Sequence, residues 1–139
     1  MEMPDPMTST APLIVVVEDD EATREVVQIV IESETSYRTL LISSGKETLQ
    51  RIEEVKQARP GLFLLDFQLP FMNALDLYDQ LHTIPELRNV PAIIITASTI
   101  SEAQQEAIAA RHIEIFWKPF EVQDMLACIE RTLYNPLPD

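Results

Sequence analysis

The sequence predicts an α/β fold: a doubly wound five-stranded parallel sheet carrying five helices. Three observations predict it. Short apolar runs rich in β-branched residues alternate with segments of helical periodicity along the chain. The runs LIVVVE, LFLLD and AIIIT are almost uniformly apolar, as strands buried on both faces are. The links between them are short, which implies right-handed crossovers and helices on both faces of the sheet.

Residues 1–11, with Pro4 and Pro6, read as a flexible tail before a domain spanning 12–134. The first strand is Leu13–Glu18. Asp20–Glu34 has helical spacing, with Val26, Val27, Val30 and Ile31 on one face and Glu21, Arg24, Glu25 and Gln28 on the other. Tyr37–Ile42 is a second strand, and Ser43 and Ser44 look like caps for the next helix. Lys46–Ala58 is an amphipathic helix with Leu49, Ile52 and Val55 in register, closed by Pro60–Gly61. Leu62–Asp66 is the third strand and Ala74–His82 the next helix. TIPELRNVP is a proline-punctuated loop leading to the fourth strand, Ala92–Thr96. An alanine-rich helix over Glu102–Arg111, a fifth strand over Ile113–Trp117 and a last helix over Glu121–Leu133 complete the pattern. Residues 135–139 form a second tail.

An apolar fraction of 46% in 139 residues is enough for one sizeable core. A net charge of -13 argues against direct nucleic-acid binding, which needs clustered Lys and Arg. The single cysteine, Cys128, excludes an internal disulfide and a Cys-rich metal site, and its setting in MLACIERTL suggests a buried helical face. No apolar run approaches the roughly 20 residues of a membrane span. The start of the chain lacks the pattern of a signal peptide, so a cytoplasmic location is the expectation. Two glycines, Gly45 and Gly61, cannot make a P-loop or a dinucleotide-binding motif.

In a doubly wound sheet the ligand site forms outside the carboxyl ends of the strands. The residues at those exits are Glu18, Asp19 and Asp20, then Asp66, then Thr96 to Ser98, then Lys118. By itself an EDD run before a helix is a cap with favourable first-turn charges. With Asp66 at the exit of a neighbouring strand, the carboxylates repel and raise one another's pKa. A hard cation such as Mg²⁺ relieves this, since it takes oxygen ligands from carboxylates and phosphate. Asp66 alone could be a structural acid capping the next turn. Beside Mg²⁺ it can act as a nucleophile toward a phosphoryl group, giving an aspartyl phosphate. Lys118 then supplies a compact positive charge and Thr96 a hydroxyl for the phosphoryl oxygens.

The segments LIVVVEDDEATR, SSGKETL, LFLLDFQLPFMNALDLYDQL, PAIIITAS and IFWKPF, in this order, resemble the receiver domain of two-component response regulators over about residues 12–134. The resemblance implies a flavodoxin-like sheet of order 2-1-3-4-5, with Asp66 as phosphoacceptor. It implies that Glu18 and Asp19 bind Mg²⁺, with Asp66 and the backbone carbonyl of Gln68 completing the protein ligands. Thr96 would be the switch hydroxyl and Lys118 its pair, preceding a cis bond to Pro119. Phosphate would come from a histidine kinase or a histidine phosphotransfer protein. Output would pass to a protein partner through the face of helix four, strand five and helix five, where Ile115 and Trp117 lie. Such a domain catalyses its own phosphorylation and dephosphorylation and is not a turnover enzyme. Gln68 and Ser98, two residues past Asp66 and Thr96, are read as tuning the lifetime of the acyl phosphate.

The chain departs from the family pattern at identifiable places. Phe71 replaces the usual Gly after LP, Asn73–Ala74 the usual Asp-Gly, and Arg111–His112 the usual Gly-Ala. Residues other than glycine therefore occupy positions that tolerate φ > 0. Ile115 stands where receivers often carry the aromatic that moves with the threonine. Strand alternation reads Phe116 and Trp117 as core, and an exposed edge on either would mark a docking surface. Only YNPLPD comes after Leu133, so the chain is either a stand-alone receiver or a domain whose output lies in a flank. A receiver-fold docking module that works without phosphate is the alternative. A phosphatase with an aspartate nucleophile needs a second acid two residues on, and that position is Gln68.

Overall fold

A computed structural model describes residues 11–97 and 99–134. Five parallel strands form one sheet: β1 (Leu13–Val17), β2 (Arg38–Ile42), β3 (Leu62–Asp66), β4 (Ala92–Thr96) and β5 (Glu114–Trp117). Their order is β2-β1-β3-β4-β5, as the family resemblance implies. The helices are α1 (Glu21–Glu34), α2 (Gly45–Gln50 with Ile52–Ala58), α3 (Ala74–His82), α4 (Glu102–Ala110) and α5 (Val122–Leu133). The helix expected over Lys46–Ala58 is two segments, Gly45–Gln50 and Ile52–Ala58, together called α2. They meet at Arg51, whose φ of -99° and ψ of 23° leave the helical region while its N–H still reaches Glu47 O. Its guanidinium ties Glu47 on one side of the break to Glu54 on the other. The proline-punctuated loop holds one short 3-10 turn, Pro85–Leu87, with Pro at its start.

The side-chain period of two in the strands sorts the core into two layers. Ile14, Val16, Leu62, Leu64, Ile93 and Ile95 face α1 and α5, meeting Val27, Ile31, Met125, Cys128 and Ile129. Val15, Val17, Phe63, Leu65 and Ile94 face the other way, toward Val55, Leu77, Leu81 and Ile108 on α2, α3 and α4. Cys128 is buried as expected, and burial followed by a bond to Glu114 pushes its thiol up to about 12, so it is an inert packing group. Val26 departs from expectation and is 58% exposed. One helical position turns about 100°, so with Val27 aimed at the sheet Val26 swings off the contact stripe.

Four helix starts are written in side chains. Asp20, Ser44, Asn73 and Ser101 each accept a hydrogen bond from the backbone N–H of the third helical residue, and the last two form reciprocal capping boxes. Two helix ends, those of α2 and α4, use left-handed residues that are not glycine. Arg59 (φ 51°) ends α2. His112 (φ 59°) ends α4, with Ile113 N–H bonded to Ile108 O and His112 N–H to Ala109 O. Phe71 (φ 66°) is the third such residue, in the turn of a small ribbon that pairs Gln68–Leu69 with Met72–Asn73. The expectation for these glycine-poor positions holds at Phe71 and His112.

Candidate functional site

Register brings the polar exits together. β1 pairs with β3 as Val17↔Leu65, so Glu18 and Asp66 leave neighbouring strands side by side. β3 pairs with β4 as Asp66↔Ile95, which puts Thr96 one step further on, and β4 pairs with β5 as Thr96↔Trp117, one residue before Lys118. Glu18, Asp66 and Lys118 therefore line one pocket at the carboxyl edge of the sheet, and Thr96 ends the neighbouring strand beneath it, fully buried. Loop length contributes little to this; parallel pairing does the alignment.

The three residues of the EDD run take separate roles. Glu18 is buried at 5% exposure, while Asp19 and Asp20 are exposed. Asp20 caps α1: its Oδ2 accepts from Thr23 N (2.8 Å) and Thr23 Oγ1 (2.6 Å), and these bonds lower its pKa. Glu18, Asp19 and Asp66 each bring one carboxylate oxygen within 4.8 Å of the others. Lys118 Nζ lies 3.3 Å from Asp66 Oδ2 and 3.6 Å from Glu18 Oε2. Gln68 N–H donates to the other Asp66 oxygen, Oδ1, at 2.9 Å.

The charges do not balance. One ammonium faces three carboxyl groups, and this crowding favours the protonated form of Glu18. Burial first, then the hydrogen bond and repulsion from Asp66, push its pKa from 4.5 up to about 8, against the pull of Lys118. A carboxylate trio with an exposed side suits a hard divalent cation, which would supply the missing positive charge and displace that proton. The donor set therefore fits Mg²⁺.

Around this cluster, Thr96 is fully buried and its carbonyl accepts from Lys118 N–H at 2.8 Å, locking β4 to the end of β5. The Lys118–Pro119 peptide is cis. Gln68 is exposed beside the pocket, and Ser98 lies outside the described residues. Ile115 is half-buried against the α4 layer, and Phe116 packs edge-to-face on Phe120 with centroids 5.2 Å apart in the other layer. Trp117 corrects the core expectation: it is 45% exposed, because β5 is the sheet edge and, among the described residues, no strand covers its outer side. Two contributors were not singled out from sequence. Arg24 donates to Glu18 O at 2.7 Å, holding the exit of β1 against α1; its place on the helix face was visible, its partner was not. Gly45 leaves room for Met72: a Cβ there would fall 2.5 Å from Met72 Sδ, so the ribbon after Asp66 rests on the start of α2.

Comparison with known proteins adds to this geometry. The family profile of the response regulator receiver domain matches residues 14–130. Curated relatives include the phosphate regulon transcriptional regulatory protein PhoB of Rhizobium meliloti, 28% identical over 92% of this chain and 55% of its own. The DNA-binding response regulator MtrA of Mycolicibacterium paratuberculosis is 30% identical over 86% of this chain and 50% of its own. The chain thus spans about half the length of these two regulators. It spans 93% of an uncharacterised 14.6 kDa protein of Leptolyngbya boryana, at 26% identity. Among solved structures, a CheY-like receiver domain protein of Methanospirillum hungatei superposes with a TM-score of 0.79 at 23% identity, covering 91% of this chain and 96% of that one. The receiver domain of a sensor histidine kinase of Pseudomonas aeruginosa, with magnesium coordinated in its active-site cleft, gives 0.74 at 21% identity, over 90% and 99%.

Proposed function

The chain belongs to the response regulator receiver domain family, and from that premise we propose that it is a phosphoryl-accepting switch of a two-component phosphorelay. The observation that carries the reading is the Glu18–Asp19–Asp66 cluster with Lys118 on its rim. Asp66 is the phosphoacceptor. One of its carboxylate oxygens attacks the phosphorus of a phosphohistidine on a histidine kinase or histidine phosphotransfer protein. The P–O bond of an acyl phosphate forms, the P–N bond breaks, and the imidazole leaves with the electron pair and takes up a proton.

Glu18, Asp19, Asp66 and the Gln68 carbonyl would hold Mg²⁺. When bound, the ion supplies neutralisation of the phosphoryl charge. Lys118, already 3.3 Å from Asp66, follows the phosphoryl oxygens, and the Thr96 hydroxyl donates to them. Gln68 stands at the pocket mouth where water would approach, and tunes how long the acyl phosphate lasts. The domain acts on itself only, in a cytoplasmic setting, and signals by changing its affinity for a protein partner at the face that bears Ile115 and Trp117.

Mg²⁺-dependent incorporation of phosphate from acetyl phosphate, followed on Phos-tag gels, tests this. Wild type is labelled and Asp66→Asn is not. Labelling of Asp66→Asn at the wild-type level would overturn the assignment. A second reading, a docking module that works without phosphate, draws on Ile115 and on the exposed Trp117. Unchanged NMR spectra on adding Mg²⁺ and beryllofluoride to wild type would favour it.

A further inference from the structure

We propose that the groove between the outer edge of β5 and the start of α5 docks a partner segment that is basic and carries an apolar or aromatic anchor. This names the partner chemistry at the output face and rests on the receiver reading for its place in signalling. β5 is the last strand of the sheet. Beside it Phe116, Trp117, Pro119 and Phe120 line a groove of 470 Å³. Trp117 offers a large, rigid surface that is 45% exposed, and tryptophan in such a setting is a common anchor of binding energy.

The charged part of the lining has one sign. Glu121 and Asp124 belong to the groove, and among the described residues no Lys or Arg does. Each Lys or Arg between Thr96 and Tyr134 is already engaged. Arg111 pairs with Asp79, Lys118 with Asp66 and Glu18, and Arg131 with Glu114. Among the described residues, neither Glu121 nor Asp124 has an ion-pair partner. Two exposed carboxylates on an aromatic, low-dielectric wall concentrate negative potential. The complementary ligand brings Lys or Arg to the rim and an apolar side chain to Trp117, where an Arg also gains a cation–π contact. A second copy of the chain is disfavoured, because a two-fold contact would set this acidic rim against itself.

The test uses the full chain and its single tryptophan as reporter. A short synthetic peptide of alternating Lys and Leu is titrated, with a Glu/Leu peptide as its counterpart, and the contact is mapped by amide NMR shifts. The Lys/Leu peptide is expected to perturb residues 115–124 and the Trp117 emission, and the Glu/Leu peptide to do neither. Glu121→Gln with Asp124→Asn should weaken binding about tenfold, the sum of two rim charges. The proposal is overturned by shifts centred on Glu21 and Glu25 of α1, by equal affinity of the double variant, by equal binding of the Glu/Leu peptide, or by self-association through the groove. Beryllofluoride binding at Asp66 is measured on the same samples. Its failure with groove binding intact removes the phosphorelay reading and leaves the docking site standing.

Discussion

β3 and β5 end at the same pocket and are held there in opposite ways. β3 runs through the middle of the sheet with Leu62 to Leu65 at 1% exposure or less, between β1 and β4 and beneath helices on both faces. β5 runs along the edge, with Glu114 and Trp117 exposed and Ile115 and Phe116 half-buried. The centre delivers Asp66 with little freedom, as the proposed phosphoryl transfer would require. The edge delivers Lys118 through one neighbouring strand and keeps its outer surface available. The interior is therefore rigidly packed on both faces, while the rim keeps part of its surface open.

The contrast breaks if both strands respond alike to truncation. Phe63→Ala in β3 should cost about 3–5 kcal/mol, the penalty for emptying a filled core site. Trp117→Ala at the edge should cost less than about 1 kcal/mol. Urea unfolding followed by circular dichroism measures both, and comparable losses would show that the edge is as tightly packed as the centre.

Acidity sharpens it next. Burial raises the pKa of Glu18, at the exit of β1, from its ordinary 4.5 to about 8. Between those values the folded state binds more protons than the unfolded one. Without divalent cations, the contribution of Glu18 to stability should thus be full below pH 4.5 and fall as pH rises toward 8. Thermal melts in EDTA across that window should show the decline, Glu18→Gln should flatten it, and Mg²⁺ at pH 8 should restore what was lost. A flat profile in wild type would mean that Glu18 is ionised throughout.

A small effect of opposite sign belongs to the ribbon after Asp66. Phe71 is fully exposed and holds a left-handed backbone without visible packing in return. Phe71→Gly should raise stability by about 1 kcal/mol by removing that strain, with acetyl phosphate labelling unchanged. Destabilisation would show that the aromatic ring stiffens the loop.

Much of this was legible in the chain because it depends on short-range pattern. β3, α3 and β4 run over the same residues as their apolar runs and helical spacing indicate. The site could be read because strand exits in a parallel sheet converge by geometry, so Glu18, Asp66, Thr96 and Lys118 needed only their strands to be placed. Val26, Trp117 and Arg51 were less legible. Val26 and Trp117 satisfy an apolar pattern and are exposed, since pattern identifies a face and not whether a neighbour covers it. Arg51 breaks a helix that its periodicity continues.

By itself the sequence determined the alternating order of strands and helices, the two-layer core and the identity of the polar groups at the strand ends. These depend on residue type at fixed local spacing, which each segment carries wherever it is placed. Only the tertiary structure decided that Asp20 is a cap while Glu18 and Asp19 face Asp66, that Lys118 reaches two carboxylates, and that Trp117 stands at an open edge. Those outcomes depend on which strand lies beside which, and on whether anything lies beyond the last one.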